Sequence, residues 1–150
     1  MDSVSKETRS KIMSRIKGKD TRLEKQFYAA WALRNIKEIE CNPSDVLGKP
    51  DFVHRKSKTA VFLDSCFWHG CALHLRMPHS NSDYWKEKIE RNKKRDNLVT
   101  QTLRKEGWSV IRIWGHSLKS RSDFEKWAEK VAGSMLKKSA SSQKRERTTI

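Results

Sequence analysis

Residues 58–65 read KTAVFLDS, and their centre, TAVFL (59–63), is a continuous apolar run of strand length. Successive side chains of a strand point to opposite faces, so a half-exposed strand alternates apolar with polar residues, whereas an unbroken run suits a central strand covered on both sides. Working outward, PDFVHR (50–55) is a second strand, joined to the first by the charged turn Lys56–Lys58. NPSDVLGKP (42–50) is rich in turn residues and reads as a loop. A further strand around Ile36–Cys41 is expected before it. DTRLEKQFYAAWALRNI (20–36) reads as a helix, capped by Asp20 or Thr21, with Leu23, Phe27, Ala30 and Trp31 on one apolar face.

On the other side of the central strand, residues 66–80 hold Pro78 and the Ser80-Asn81-Ser82 cluster, so long regular structure is not expected there. DYWKEKIERNKKRDNLVTQTLRKEG (83–107) is a long helix stopped by Gly107, WSVIRIW (108–114) another strand, and SDFEKWAEKVAGSML (122–136) a last helix. The N-terminal SVSKETRSKIMSRIKGKD (3–20) is basic, with Ile12, Met13 and Ile16 as its main apolar residues, and predicts a short helix ended by Gly18. From Lys137 apolar residues are scarce, which predicts a disordered basic tail over 137–150. The order predicts an α/β fold, a mixed central β-sheet flanked by α-helices.

At 150 residues the chain is one domain's worth. Its 33 Lys and Arg against 18 Asp and Glu give a net charge of +15, which suits a polyanionic partner, although a ribosomal or merely basic protein shares that balance. No run approaches the ~18 apolar residues of a membrane span, and Met1–Gly18 lacks the apolar core of a signal peptide. A cytoplasmic protein is expected. The three cysteines, Cys41, Cys66 and Cys71, then favour metal ligation over a disulfide framework.

DSCFWHGCALH (64–74) concentrates the chemistry. Cys66, Cys71 and His74 lie close together, and a strand 108–114 returning beside the central one would bring His116 to them. Two thiolates and two imidazoles make a closed tetrahedral set, the arrangement of a structural zinc site. The competing reading is two core cysteines and two surface histidines. Asp51 begins one strand and Asp64 ends the next. Neighbouring antiparallel strands can set these carboxylates together as a Mg²⁺ site, with the Leu63 backbone carbonyl adding an oxygen. Taken singly, either aspartate reads as a turn or cap residue. His69 lies between the cysteines without being needed for the zinc set. An imidazole there can act as an acid or base, or replace His74 as a ligand.

Asn92 and Asp96 interrupt the apolar face Trp85, Ile89, Val99, Leu103 of the long helix, so they need polar partners. Asp96 can orient His69 and Asn92 can face a substrate, or both can make ordinary buried hydrogen bonds. Lys86, Lys88, Arg91, Lys93, Lys94 and Arg95 around them form a basic surface fit for phosphates. Phe67 and Trp68, adjacent in a polar loop, read as an exposed pair able to slip between base pairs. Trp85 joins them or packs in the core.

These motifs resemble those of the very short patch repair (Vsr) endonucleases, the T:G mismatch nicking enzymes of bacteria. The resemblance runs from about Thr8 to Arg121, through TRSKIMSRIKGKDTRLEK, GKPDFV, VFLDSCFWHGCALH, YWKEKIERNKKRD and GWSVIRIW. It implies a restriction-endonuclease-like core, with Asp51 as the metal-binding aspartate, His69 as the catalytic histidine, and Glu24 and Asp96 as further active-site acids. Cys66, Cys71, His74 and His116 would bind zinc, and Phe67, Trp68 and Trp85 would intercalate. Lys88, Asn92 and Arg95 are expected at the DNA. Residues 1–19 would form an arm, with Met13 and Ile16, gripping the opposite groove, and 20–136 the endonuclease domain. The resemblance further implies nicking of double-stranded DNA 5′ to the thymine left by deamination of 5-methylcytosine. With it come a functional link to a cytosine-5 DNA methyltransferase, possible contact with mismatch-repair proteins, and a monomer. The chain departs from the family pattern. Some members have histidine at the place of Asp64 or threonine at that of Leu63, His116 stands for a cysteine, and Cys66 occupies a place where related nucleases carry lysine. Two rival functions stay open: a zinc-stabilised DNA-binding module without catalysis, and a restriction endonuclease acting on unmismatched DNA.

Overall fold

The computed structural model describes residues 22–32, 34 and 36–148, with side chains to position 138. The N-terminal arm, including Met13 and Ile16, and the caps Asp20 and Thr21 lie outside these residues. Helix α1 is Arg22–Ala32; strands β1 Ile39–Cys41, β2 Phe52–His54 and β3 Thr59–Asp64 follow; helix α2 is Ser82–Lys105; strand β4 is Ser109–Trp114; a 3₁₀ turn covers Gly115–Ser117; and helix α3 is Arg121–Thr148.

The strands form one mixed sheet in the order β1-β2-β3-β4. β1 and β2 pair antiparallel, as do β2 and β3, and β3 and β4 pair parallel with Asp64 opposite Trp114. A parallel pair needs a long crossover, and α2 supplies it. β3 is covered on both faces as its apolar run predicts. Val61 belongs to a core with Phe27 and Trp31 of α1, Phe52 of β2, and Phe124, Val131 and Met135 of α3. Ala60 and Phe62 belong to another with Val53, Val99 and Leu103 of α2. Helices therefore flank the sheet, α1 and α3 on one side and α2 on the other.

The ends of the long helices have local causes. Beyond α2, Gly107 adopts φ +90°, its N–H donates to the Arg104 carbonyl, and the Trp108 N–H donates to Leu103. This is a Schellman closure, which favours glycine because a side chain strains at that φ. At α3, Asp123 Oδ2 accepts from the Ser120 N–H and Ser120 Oγ accepts from the Asp123 N–H, a reciprocal cap. β1 is shorter than expected, beginning only at Ile39, after Glu38 at φ +66° breaks the extended chain.

The expected disordered tail is corrected, since α3 continues through residues 137–148 to Thr148. The stretch KKSASSQKRERT has no glycine or proline to stop a helix, and Lys, Arg, Gln, Ala and Glu propagate one without needing a core. Among the described residues, no helix is long and apolar enough to cross a membrane.

Candidate active site

β2 and β3 place two carboxylates at one end of the sheet. Asp51 just precedes β2, and its Oδ2 accepts the Leu63 N–H at 2.6 Å. Glu24, buried in the first turn of α1, hydrogen-bonds the Asp51 carboxyl and accepts from Asn42 Nδ2 at 3.4 Å. Burial pushes the Asp51 carboxyl from 3.8 up to about 7, and the charges of Glu24 and Asp64 push the same way against the Leu63 N–H. Asp64, the last residue of β3, is 4% exposed. Burial raises its carboxyl too, although His69 and Arg112 oppose the shift.

The loop after β3 turns back over this end. The His69 N–H donates to the Ser65 carbonyl, and Gly70 follows at φ +64°. His69 thereby points between two acids: Nδ1 lies 2.5 Å from Asp96 Oδ2 and Nε2 lies 3.7 Å from Asp64 Oδ1. Burial works against the charge on Asp96, but the His69 hydrogen bond outweighs it with help from Arg112 and Arg95, so the carboxyl sits below its ordinary value. An ionised Asp96 needs a donor, which places the ring proton on Nδ1 and leaves Nε2 of a neutral imidazole as the acceptor. Asp51, Leu63, Asp64, His69, Arg95, Asp96 and Arg112 line one cleft of about 410 Å³, with Lys49 at its side.

Beneath the loop, Cys66, Cys71, His74 and His116 each offer a ligand atom, all within 4.8 Å of one another. Cys66 Sγ is 3.3 Å and Cys71 Sγ 3.6 Å from His116 Nδ1, and Cys71 Sγ is 3.7 Å from His74 Nδ1. A tetrahedron with Zn–S near 2.3 Å and Zn–N near 2.1 Å has edges of roughly 3.5 Å, so this donor set fits zinc. Burial raises the Cys66 thiol, and the neighbouring Cys71 sulfur adds to the shift. A bound cation would reverse that penalty.

Two sequence expectations change here. Phe67 is half-buried, but Trp68 and Trp85 are 6% and 5% exposed, so the pair is not presented to solvent. The rings satisfy each other edge to face, Phe67–Trp68 at 5.4 Å, Phe67–Trp85 at 5.6 Å and Trp68–Trp85 at 6.1 Å. Lys88 Nζ covers them, 5.1 Å from the Trp68 ring. Asn92, expected to face substrate, is 7% exposed and donates to the Trp68 carbonyl at 3.1 Å. It makes the ordinary buried hydrogen bond that was its alternative reading. Arg95 is well exposed at the cleft, 3.9 Å from Asp96.

Sequence reasoning missed Arg112 and Asn42. Arg112 donates to both Asp64 oxygens at 3.0 and 3.1 Å, although in the strand SVIRIW it reads as a solvent-facing polar residue. Asn42 carries no pattern of its own; its N–H donates to the Asp51 carbonyl. His54 is buried, with Nδ1 2.7 Å from Ser57 Oγ, and braces the β2–β3 turn.

The sequence model of the DNA mismatch endonuclease Vsr matches residues 1–75. The type II nicking enzyme V.NmeDIP of Neisseria meningitidis serogroup C is 40% identical over 121 residues, 79% of this chain and 80% of that one. The DNA mismatch endonuclease Vsr of Escherichia coli K12 is 31% identical over 121 residues, 80% of this chain and 77% of that one. The type II nicking enzyme V.NaeI of Lentzea aerocolonigenes is 50% identical over 68 residues, which span 45% of this chain and 41% of that enzyme.

Proposed function

Because the chain belongs to the Vsr family of DNA mismatch endonucleases, we propose that it nicks one strand of double-stranded DNA 5′ to the thymine of a T:G mispair. The observation that carries this reading is the convergence of Asp51, Asp64 and the His69–Asp96 pair on one cleft, with Glu24 hydrogen-bonded to Asp51, in a protein with net charge +15. Buried neighbouring acids repel a phosphate unless a cation intervenes. A DNA-binding module without catalysis has no use for them.

Asp51 and Asp64, with the Leu63 carbonyl, would hold Mg²⁺, and Glu24 would support Asp51. Such a cation supplies charge neutralisation at the scissile phosphate and a more acidic bound water. Asp96 holds the Nδ1–H of His69, so that Nε2 can take a proton from the attacking water or return one to the leaving oxygen. Zinc on Cys66, Cys71, His74 and His116 would brace the loop that carries His69. Arg95 and Lys88 would meet phosphates. Phe67, Trp68 and Trp85 would open a base step, and that requires Trp68 and Trp85 to leave their packed arrangement. Trp85 Nε1 is buried with no hydrogen-bond acceptor among the described residues, which favours such a rearrangement. Residues 1–19, with Met13 and Ile16, would grip the other groove. Asn92 would contribute by holding the Trp68 backbone.

We further assign it as a monomer in the cytoplasm, acting on lesions left by a cytosine-5 DNA methyltransferase and open to contact with mismatch-repair proteins. The test is incubation of T:G and fully paired duplexes with and without Mg²⁺. A nick in the T:G duplex alone, dependent on the cation, is expected. Cleavage of both strands of paired DNA would favour the restriction-enzyme reading, and binding without cleavage the non-catalytic module.

A further inference from the structure

Arg112 stands in the middle of β4, and its guanidinium is held at every nitrogen. Nε donates to Thr100 Oγ1 at 2.9 Å, Nη1 to both Asp64 oxygens, and Nη2 to the Asp96 backbone carbonyl at 3.4 Å. The guanidinium carbon lies 4.1 Å from the Phe62 ring centroid. Asp64 Oδ1 in turn faces His69 Nε2, and His69 Nδ1 meets Asp96. The side chains close a circuit from β4 through α2 and the loop to β3 and back.

We propose that Arg112 is a positioning residue for the nicking reaction. It holds the Asp64 carboxylate 3.7 Å from His69 Nε2, where that oxygen steadies the imidazolium formed once Nε2 has taken up its proton, instead of contacting the phosphate itself. This inference rests on the nuclease reading of the cleft. Two observations separate positioning from phosphate contact. Each Arg112 nitrogen already has a protein acceptor, and its side chain is 20% exposed. Arg95 is 58% exposed on the same cleft, so it is the better placed cation for DNA. Arg112 also lines a second groove of about 460 Å³, together with Arg104, Trp127 and Lys130. Truncating it would leave a space open to a small guanidinium from the groove side.

The experiment compares the unaltered protein with Arg112→Ala, Arg112→Lys, Asp64→Asn and the double variant Asp64→Asn/Arg112→Ala, measuring kcat for a T:G duplex and duplex affinity. Arg112→Ala should lower kcat about 100-fold, the size of effect that small misplacement of a reacting group produces, with affinity almost unchanged. Arg112→Lys should recover little, because an ammonium cannot reproduce the fork. Added methylguanidinium should restore part of the Arg112→Ala rate. Measured on the residual single-turnover rate that Asp64→Asn keeps, Arg112→Ala should cost almost nothing more in that background, since the two residues act as one unit. An equal loss in both backgrounds, or affinity falling in step with kcat, overturns the proposal. Should Arg112→Ala fail to fold, a folded Arg112→Lys with full activity overturns it too. An inactive parent protein overturns the nuclease reading and this proposal with it, whereas an active parent with an unaffected Arg112→Ala sinks this proposal alone.

Discussion

Asp51 is under opposed demands. The Leu63 N–H favours its ionised form, while burial and Glu24 penalise it, and the balance leaves it near 7 without a cation. The sign for stability follows. The unfolded chain ionises this carboxyl near 3.8 and the folded chain near 7, so between those values the fold binds the extra proton. This group therefore costs the metal-free protein stability as pH rises from about 4 to about 7. Asp51→Asn should raise the melting temperature of the metal-free protein at pH 8 and lose nicking. Calorimetry beside a nicking assay checks both, and an unchanged or lower melting temperature would count against the strained carboxyl. Mg²⁺ affinity should weaken as pH falls from 8 to 6, because the cation must displace that proton. His69→Ala should abolish nicking with duplex binding retained. Asp96→Asn should cost about 100-fold or more in kcat by letting the Nδ1 proton go, and gel-shift and single-turnover assays separate these effects.

The loop between β3 and α2 is an element without regular secondary structure, held at both ends by other elements. The Cys/His set ties it to the residues after β4, and Asn92 ties the Trp68 carbonyl to α2. Chelation or Cys71→Ser should lower the melting temperature and the nicking rate together, with zinc release followed by a colorimetric chelator. Gly70 is the tight point, since it adopts φ +64° and a Cβ there would meet Ile89 Cγ2 at 2.9 Å and Lys93 Cδ at 2.8 Å. Gly70→Ala should displace the neighbouring His69 and reduce kcat with smaller effect on duplex affinity. Elements of this kind differ in how plainly the sequence announces them. TAVFL declares a twice-covered strand, and the Gly107 stop of α2 is equally open. Arg112 is hidden because one polar residue in a half-exposed strand is ordinary, and its partner lies 48 positions away. The burial of Trp68 and Trp85 is hidden as well, since three rings from the loop and α2 choose each other only once the loop has closed. Glu24 carries no pattern of its own on its helix, and only the family resemblance marks it before the fold sets it beside Asp51.

At the scale of the whole molecule, the proposed reading divides recognition between net charge and an aromatic wedge. The excess of 15 positive charges should make duplex affinity fall steeply with salt, for paired and mispaired DNA alike, as displaced counterions require. Trp68→Ala should leave that salt slope in place and instead reduce the preference for T:G over paired DNA by about tenfold, the loss of one base-stacking contact. Competition binding at two salt concentrations measures both, and an unchanged preference would remove Trp68 from recognition.

The parallel partnership of β3 with β4, bridged by α2, has a consequence for synthesis on the ribosome. A nascent chain that has emerged only as far as Lys105 already carries Asp51, Asp64, His69 and Asp96, yet it lacks both Arg112 and His116. Its loop has three of four metal donors, and its second carboxylate has no clamp. On the proposed assignments, a chain truncated at Lys105 should therefore be unable to nick a T:G duplex, and competence should arrive only once β4 has docked.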